Sequence, residues 1–193
     1  CTIGDASTSE GIFWETLNAA AVMQVPLAVS VWDDGYGISV PIELQTVKSS
    51  ISHALEGFAD EKSDPGAKII RCRAWDYPGL VNAYRDGIRW CRKNHRPVLF
   101  HIQEVTQPQG HSTSGSHERY KSKDRLQWEA EYDCLNRMES WMQQNEVASQ
   151  EQCTQLRELA KAYVRDQKNA AWTAYLDPIL TEKLQLENIL RTA

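Results

Sequence analysis

No apolar run in this 193-residue sequence approaches the roughly 20 residues of a membrane span, and no signal-peptide pattern is visible. A transmembrane protein is therefore not expected. Basic charge is also scarce. Lys and Arg number 21 against 26 Asp and Glu, a net charge of −5 that argues against a nucleic-acid surface. The five cysteines, Cys1, Cys72, Cys91, Cys134 and Cys153, show neither close pairing nor metal-ligand spacing. They read as free thiols of a reducing, cytoplasmic compartment. Internal repeats and low-complexity segments are lacking too. What remains is an ordinary globular composition, 41% hydrophobic and 24% charged. It is long enough for one domain with a sizeable core, or for a domain with a helical appendage.

The pattern along the chain is an alternation of strands and helices. "CTIGD" reads as the end of a strand already in progress, which suggests a fragment of a longer polypeptide. From Ser9 to about Met23, Ile12, Phe13, Leu17, Ala20 and Ala21 recur near helical spacing, with Thr8 or Ser9 as the N-cap. Strands are expected near Pro26 to Trp32, Lys68 to Arg73 and Val98 to Val105, with a helix over "GLVNAYRDGIRWCRKN" between the last two. The apolar run of the first of these strands suits one covered on both faces. Alternation of this kind implies right-handed crossovers and a parallel sheet with helices on both faces. Beyond Thr106 a long polar loop leads, from about Leu126, to charged helical sequence carrying Trp128, Trp141 and Trp172. The expected organisation is therefore an α/β domain over residues 1–125 and a helical tail over 126–193, packing on this domain or on a partner.

Two carboxylates stand out. Asp5 and Asp34 lie 29 residues apart at the ends of successive strands, about one strand–helix–strand unit. The carboxyl ends of parallel strands line one crevice, where ligands bind. Gly4 suits a tight turn, and Ala6 and Ser7 are small enough to admit a ligand to the backbone. A helix N-terminus following them favours phosphate. Two carboxylates beside a phosphate repel it unless a divalent cation lies between, and Mg²⁺ commonly combines one or two carboxylates with phosphate oxygens. The Tyr36 main-chain carbonyl is a third candidate oxygen. The plainer alternative is that Asp5 caps the helix and "DDG" is only a turn.

The stretch "GDASTSEG…FWETLNAAAVMQVPLAVSVWDDGYGIS", with "RAWDYPGLVNAYRDGIRWCR…RPVLFHIQEV" and "GHSTSG…RYKSKD", resembles the α-type part of the thiamine-diphosphate-dependent E1 component of 2-oxo-acid dehydrogenase complexes. The likeness covers about Gly4 to Asp124, and "HSTSG" is similar to branched-chain and bacterial α/β-fused members. It implies the thiamine-diphosphate-binding fold, here with its N-terminal part missing. It implies Asp5, Asp34 and the Tyr36 carbonyl as Mg²⁺ ligands, and Gly4, Asp5, Ala6, Ser7 and His111 as the cofactor-binding set. Ala6 replaces a family glycine, and Asp34 replaces the metal-binding asparagine, adding a negative charge beside a polyanion.

The same resemblance makes His111 a phosphate contact on the substrate channel and the candidate catalytic residue. A histidine there titrates near neutral pH, which suits proton handling. Ser112 matches a position phosphorylated in mitochondrial members, and a plain loop serine is the competing reading. Tyr120 and Lys121 match a loop-ordering Tyr-Arg pair. Lysine loses bidentate geometry, so disorder from His111 to Lys121 is expected without cofactor. His117 receives no role.

The implied reaction is oxidative decarboxylation of a 2-oxo acid, with acyl transfer to the lipoyl domain of E2. The implied partner is a β-type part in the same chain or another, in an oligomeric full enzyme, and the isolated chain is expected to be inactive. Two alternatives stay open: another thiamine-diphosphate enzyme, transketolase-like or a decarboxylating synthase, and a non-catalytic interaction module keeping the fold.

Overall fold

The computed structural model describes residues 1–61, 65–111 and 116–192, in two compact units, 1–140 and 141–193. In the first unit, strands β1 (Thr2–Gly4), β2 (Ala28–Trp32), β5 (Lys68–Arg73) and β6 (Val98–Gln103) form one sheet in the order β1-β2-β6-β5. Every pairing in it is parallel, with Ile3 opposite Val31, Val31 opposite His101, and His101 opposite Arg71. The short strands β3 (Tyr36–Gly37) and β4 (Val40–Pro41) pair antiparallel beside it. The parallel α/β architecture expected from the alternation is thus observed. β6 stops at Gln103, short of Val105, because Glu104 turns into the left-handed region at φ 59°.

Two helices cover the sheet from opposite sides. Along β6 the side chains alternate, as the strand period requires. Val98, Phe100 and Ile102 pack with Cys91, Leu80, Tyr84 and Ile88 of α3 (Tyr77–Asn94). Leu99 joins Phe13 and Leu17 of α1 (Gly11–Val22) and Ile51 of the short helix α2 (Ile51–Ala54). Full burial of a leucine or phenylalanine contributes about 1.5–3 kcal/mol, so this two-sided core fixes the sheet register. His101 falls at the odd positions of β6 with Leu99 and is completely buried.

The segment after β1 departs from expectation. Asp5–Ser9 forms a 3₁₀ turn before α1 begins at Gly11. The Thr8 hydroxyl donates to the Asp5 carbonyl at 2.6 Å, closing that turn, so it is not available to cap α1. Neither Thr8 nor Ser9 is the N-cap; Glu10 holds that position without a side-chain cap bond.

Helix α4 (Lys123–Glu131) lies in the first unit, with Trp128 and Tyr132 stacked at 5.3 Å and Tyr132 against Trp75 at 5.2 Å. Helix α5 (Cys134–Gln144) carries the boundary between the units. The second unit is dominated by α6 (Gln150–Thr192), which includes Pro178 and exposes Trp172, Tyr175 and Leu184. Among the described residues no helix is long and apolar enough to cross a membrane.

Candidate functional site

The carboxyl ends of β1, β2 and β6 converge on a cavity of about 600 Å³. Gly4, Asp5, Ala6, Asp34, Tyr36 and His111 all line it, so the structure brings together six of the seven residues singled out in sequence. The seventh, Ser7, is exposed and lines a separate apolar depression beside Ile12, Phe13 and Leu17. Ser112 lies outside the described residues.

Asp5 is only 4% exposed, and its Oδ2 has no hydrogen-bond partner among the described residues. Burial, and then the negative charges of Asp33 and Asp34, push its carboxyl up to about 7 from an ordinary 3.8. A buried carboxylate without a counter-charge is costly unless something outside the chain compensates it. Asp34 is likewise raised, mainly by burial, although the Tyr36 N–H donating to its Oδ1 at 3.1 Å and the Lys121 ammonium oppose the shift. Among the described residues no group of three or more His, Cys, Asp or Glu side chains converges as a complete metal site. Two carboxylates with a main-chain oxygen nevertheless fit a hard cation that completes its shell with phosphate and water oxygens, as Mg²⁺ does.

Two glycines shape this site. Gly35 has φ +80°, the left-handed conformation that lets the chain double back between Asp34 and Tyr36. At Gly37 a side chain has no room: a Cβ there would lie 2.6 Å from Gln45 Oε1 and 2.9 Å from the Ala6 Cβ. Gly4, by contrast, is extended at φ −79° with open space where a Cβ would stand. The tight turn expected of it is not made; its smallness leaves room in the cavity instead. Ile38, a β-branched residue at φ +61°, carries backbone strain at the cavity wall.

Several contributors were not foreseen, while Lys121 was expected only to order its loop. Arg125 of α4 donates through Nη2 to the Asp34 carbonyl at 2.7 Å and through Nε to Glu129 at 2.7 Å. Lys121 is buried and donates to both Glu129 oxygens at 2.8 and 3.0 Å, with its ammonium 4.9 Å from the centre of the Tyr36 ring. Of the stretch from His111 to Lys121 expected to be disordered, residues 112–115 lie outside the described residues, and Lys121 at its end is seated on Glu129. A lysine has no fork, but a buried carboxylate and an aromatic face give its point charge a defined seat. His117, without a role in the sequence reading, has a buried Nδ1 with no partner among the described residues and does not line this cavity. Beneath the cavity, Asp33 accepts from His101 Nε2 at 2.7 Å and from the Gly35 N–H at 2.8 Å. The available signal was a histidine in the middle of the otherwise apolar "PVLFHI" strand.

Comparison with known proteins agrees with this geometry. A family profile described as "Dehydrogenase E1 component" matches residues 1–178. The chain is 32% identical over 161 residues to 2-oxoisovalerate dehydrogenase subunit alpha 1, mitochondrial, of Arabidopsis thaliana, covering 82% of this chain and 32% of that protein. It is 30% identical over 168 residues to 3-methyl-2-oxobutanoate dehydrogenase subunit alpha of Mycobacterium tuberculosis, covering 85% and 43%. With pyruvate dehydrogenase E1 component subunit alpha of Rickettsia bellii the identity is 20% over 164 residues, covering 85% and 48%. The chain thus spans from 32% to 48% of the length of these relatives. Its profile match covers both the cavity and the sheet that builds it, and on that match the chain belongs to the dehydrogenase E1 component family.

Proposed function

We propose that this chain supplies the diphosphate- and cation-binding half of a thiamine-diphosphate site, in an enzyme that oxidatively decarboxylates a 2-oxo acid and passes the acyl group to a lipoyl carrier. The observation that carries the reading is the buried Oδ2 of Asp5, without a partner among the described residues, on a residue that lines one cavity with Asp34 and Tyr36. Asp5 and Asp34 would hold Mg²⁺ by their carboxylate oxygens, joined by the Tyr36 carbonyl. Ala6 leaves the main chain open to phosphate oxygens, and His111, on the loop after β6, would hold or move a proton at its imidazole. When bound, thiamine diphosphate supplies the electron sink that decarboxylation needs, while the protein binds and orients.

The partners in this reading are a β-type E1 part, which completes the site, and the lipoyl domain of E2. The free thiols support a reducing, cytoplasmic setting. The relatives' names join branched-chain oxo acids and pyruvate, so both classes belong in the test. The chain alone should release no CO₂ from either. Added to a β-type part with Mg²⁺ and thiamine diphosphate, it should release CO₂ and acylate a lipoyl domain. An assembled pair that binds thiamine diphosphate only independently of Mg²⁺ would overturn the assignment.

A further inference from the structure

Asp33 and Asp34 are adjacent in sequence, yet only Asp34 lines the cavity. The difference is made beneath it. Asp33 is nailed to β6 by its main chain: its N–H donates to the Ile102 carbonyl at 2.8 Å, and its own carbonyl accepts from Val105 N–H at 3.0 Å. Its side chain is held as firmly. Oδ2 accepts from His101 Nε2 at 2.7 Å and Oδ1 from the Gly35 N–H at 2.8 Å. A carboxylate only accepts, so Nε2 carries the proton. Nδ1 is hydrogen-bonded to the Ser52 hydroxyl at 2.8 Å, and that hydroxyl oxygen accepts from Arg71 Nε at 2.7 Å. Arg71, Ser52, His101, Asp33 and Gly35 thus form one connected chain in which the Asp33 carboxylate accepts from both His101 and Gly35, and His101 and Ser52 are completely buried.

We propose that His101 is a positioning residue for the cation site: by engaging the Asp33 carboxylate it keeps that side chain out of the cavity and fixes the turn on which Asp34 and Tyr36 face inward. Two successive side-chain-to-main-chain bonds, Gly35 N–H to Asp33 and Tyr36 N–H to Asp34, build this turn. The first sets the frame for the second. Both ring nitrogens of this completely buried histidine are engaged, Nε2 by Asp33 and Nδ1 by Ser52 of α2, so the ring ties the Asp33 turn to its surroundings rather than only filling space. A side chain that only filled space would do as well as leucine. A buried hydrogen bond to a charged group left unmade is, by contrast, among the costlier defects.

The assignment rests on the cation reading of Asp5 and Asp34, and one titration separates the two. Mn²⁺ binding to the full chain is followed by electron paramagnetic resonance, with and without thiamine diphosphate, and folding by circular dichroism. His101→Leu should weaken Mn²⁺ binding at least ten-fold. His101→Gln, whose amide N–H can still reach Asp33, should stay within about three-fold of the parent. Asp33→Asn should weaken binding several-fold, and the double variant His101→Leu/Asp33→Asn no more than His101→Leu alone, because both act through one turn. Additive losses, or a folded His101→Leu that binds Mn²⁺ like the parent, would overturn the role of His101 while leaving the cation site standing. A parent that binds no Mn²⁺ overturns the cation site and this role with it. Should His101→Leu not fold, Asp33→Asn decides: it leaves His101 in the core, and unchanged affinity counts against the proposal.

Discussion

The two strand-end turns that meet at the cavity are built in opposite ways. After β1, the 3₁₀ turn spends its threonine hydroxyl on its own main chain and leaves Asp5 buried with an unpartnered oxygen. After β2, almost every polar group is engaged: Asp33 by His101 and Gly35, the Asp34 carboxylate by the Tyr36 N–H, the Asp34 carbonyl by Arg125. Positive charge comes to the second turn from Lys121 and Arg125, and among the described residues no cation is paired with Asp5. One turn therefore holds negative charge that the chain itself does not offset, and the other holds geometry. A site that must capture a cation with limited reorganisation needs both, since preorganised ligands bind without the cost of being ordered.

The sharpest way to break this comparison is to unlock the second turn alone. The side chains of Lys121 and Glu129 are 1% and 3% exposed. Lys121→Met leaves a buried carboxylate with Arg125 as its remaining cation, and removing one partner of a buried pair typically costs about 3–5 kcal/mol. Because Arg125 stays, the lower end of that range is expected in urea unfolding. Cation affinity should fall as well, since Lys121 also seats the Tyr36 ring. A loss below about 1 kcal/mol would mean that Glu129 finds solvent, and that the second turn is not locked from above.

The first turn makes the opposite prediction. Because burial and then Asp33 and Asp34 raise the Asp5 carboxyl to about 7, the folded, cation-free chain holds a proton that the unfolded chain releases near 3.8. Between those values folding requires the proton, so stability contributed by Asp5 falls as pH rises, and above about 7 it is flat. Asp5→Asn removes the ionisable group: melting temperatures of parent and variant should diverge from pH 4 to pH 7 in favour of the variant. With Mn²⁺ the order should reverse, because only the parent gains from the ion. Equal melting curves across that window would show that Asp5 is solvated and compensated, unlike the structure described here.

How much of this was legible in the sequence differs between the turns for a physical reason. The parallel sheet and the approach of Asp5 to Asp34 follow from local periodicity and from one short crossover, which residue spacing records directly. The lock on the second turn comes from Lys121, Arg125 and Glu129, about 90 residues further along, and from His101 and Ser52 across the sheet. No periodicity encodes such pairings. Glycine roles were read from residue type, yet among the described residues Gly35 is the glycine that uses a positive φ, whereas Gly37 is required by the atoms of Gln45 and Ala6. The helix start was misplaced because a threonine hydroxyl can bond the main-chain carbonyl three residues back and close a 3₁₀ turn as readily as it caps a helix.

The smallest expected effect tests whether the charge or the oxygen of Asp34 matters on the locked turn. Unit charges ~4 Å apart interact by ~1 kcal/mol in water and ~4 kcal/mol at an effective dielectric of 20. That attraction to a cation is offset in part by repulsion of the same sign between Asp34 and a bound diphosphate. Asp34→Asn keeps one carbonyl oxygen, whose two lone pairs can accept the Tyr36 N–H and still face the cavity. With the diphosphate present, its Mn²⁺ affinity should therefore lie within about three-fold of the parent. Without the diphosphate the repulsion is gone, and the parent should bind the ion more tightly than the variant. Asp34→Ala removes the oxygen in both conditions and should lose ten-fold or more. Were alanine to match asparagine, Asp34 would be a turn residue only, and the cation would belong to the first turn alone.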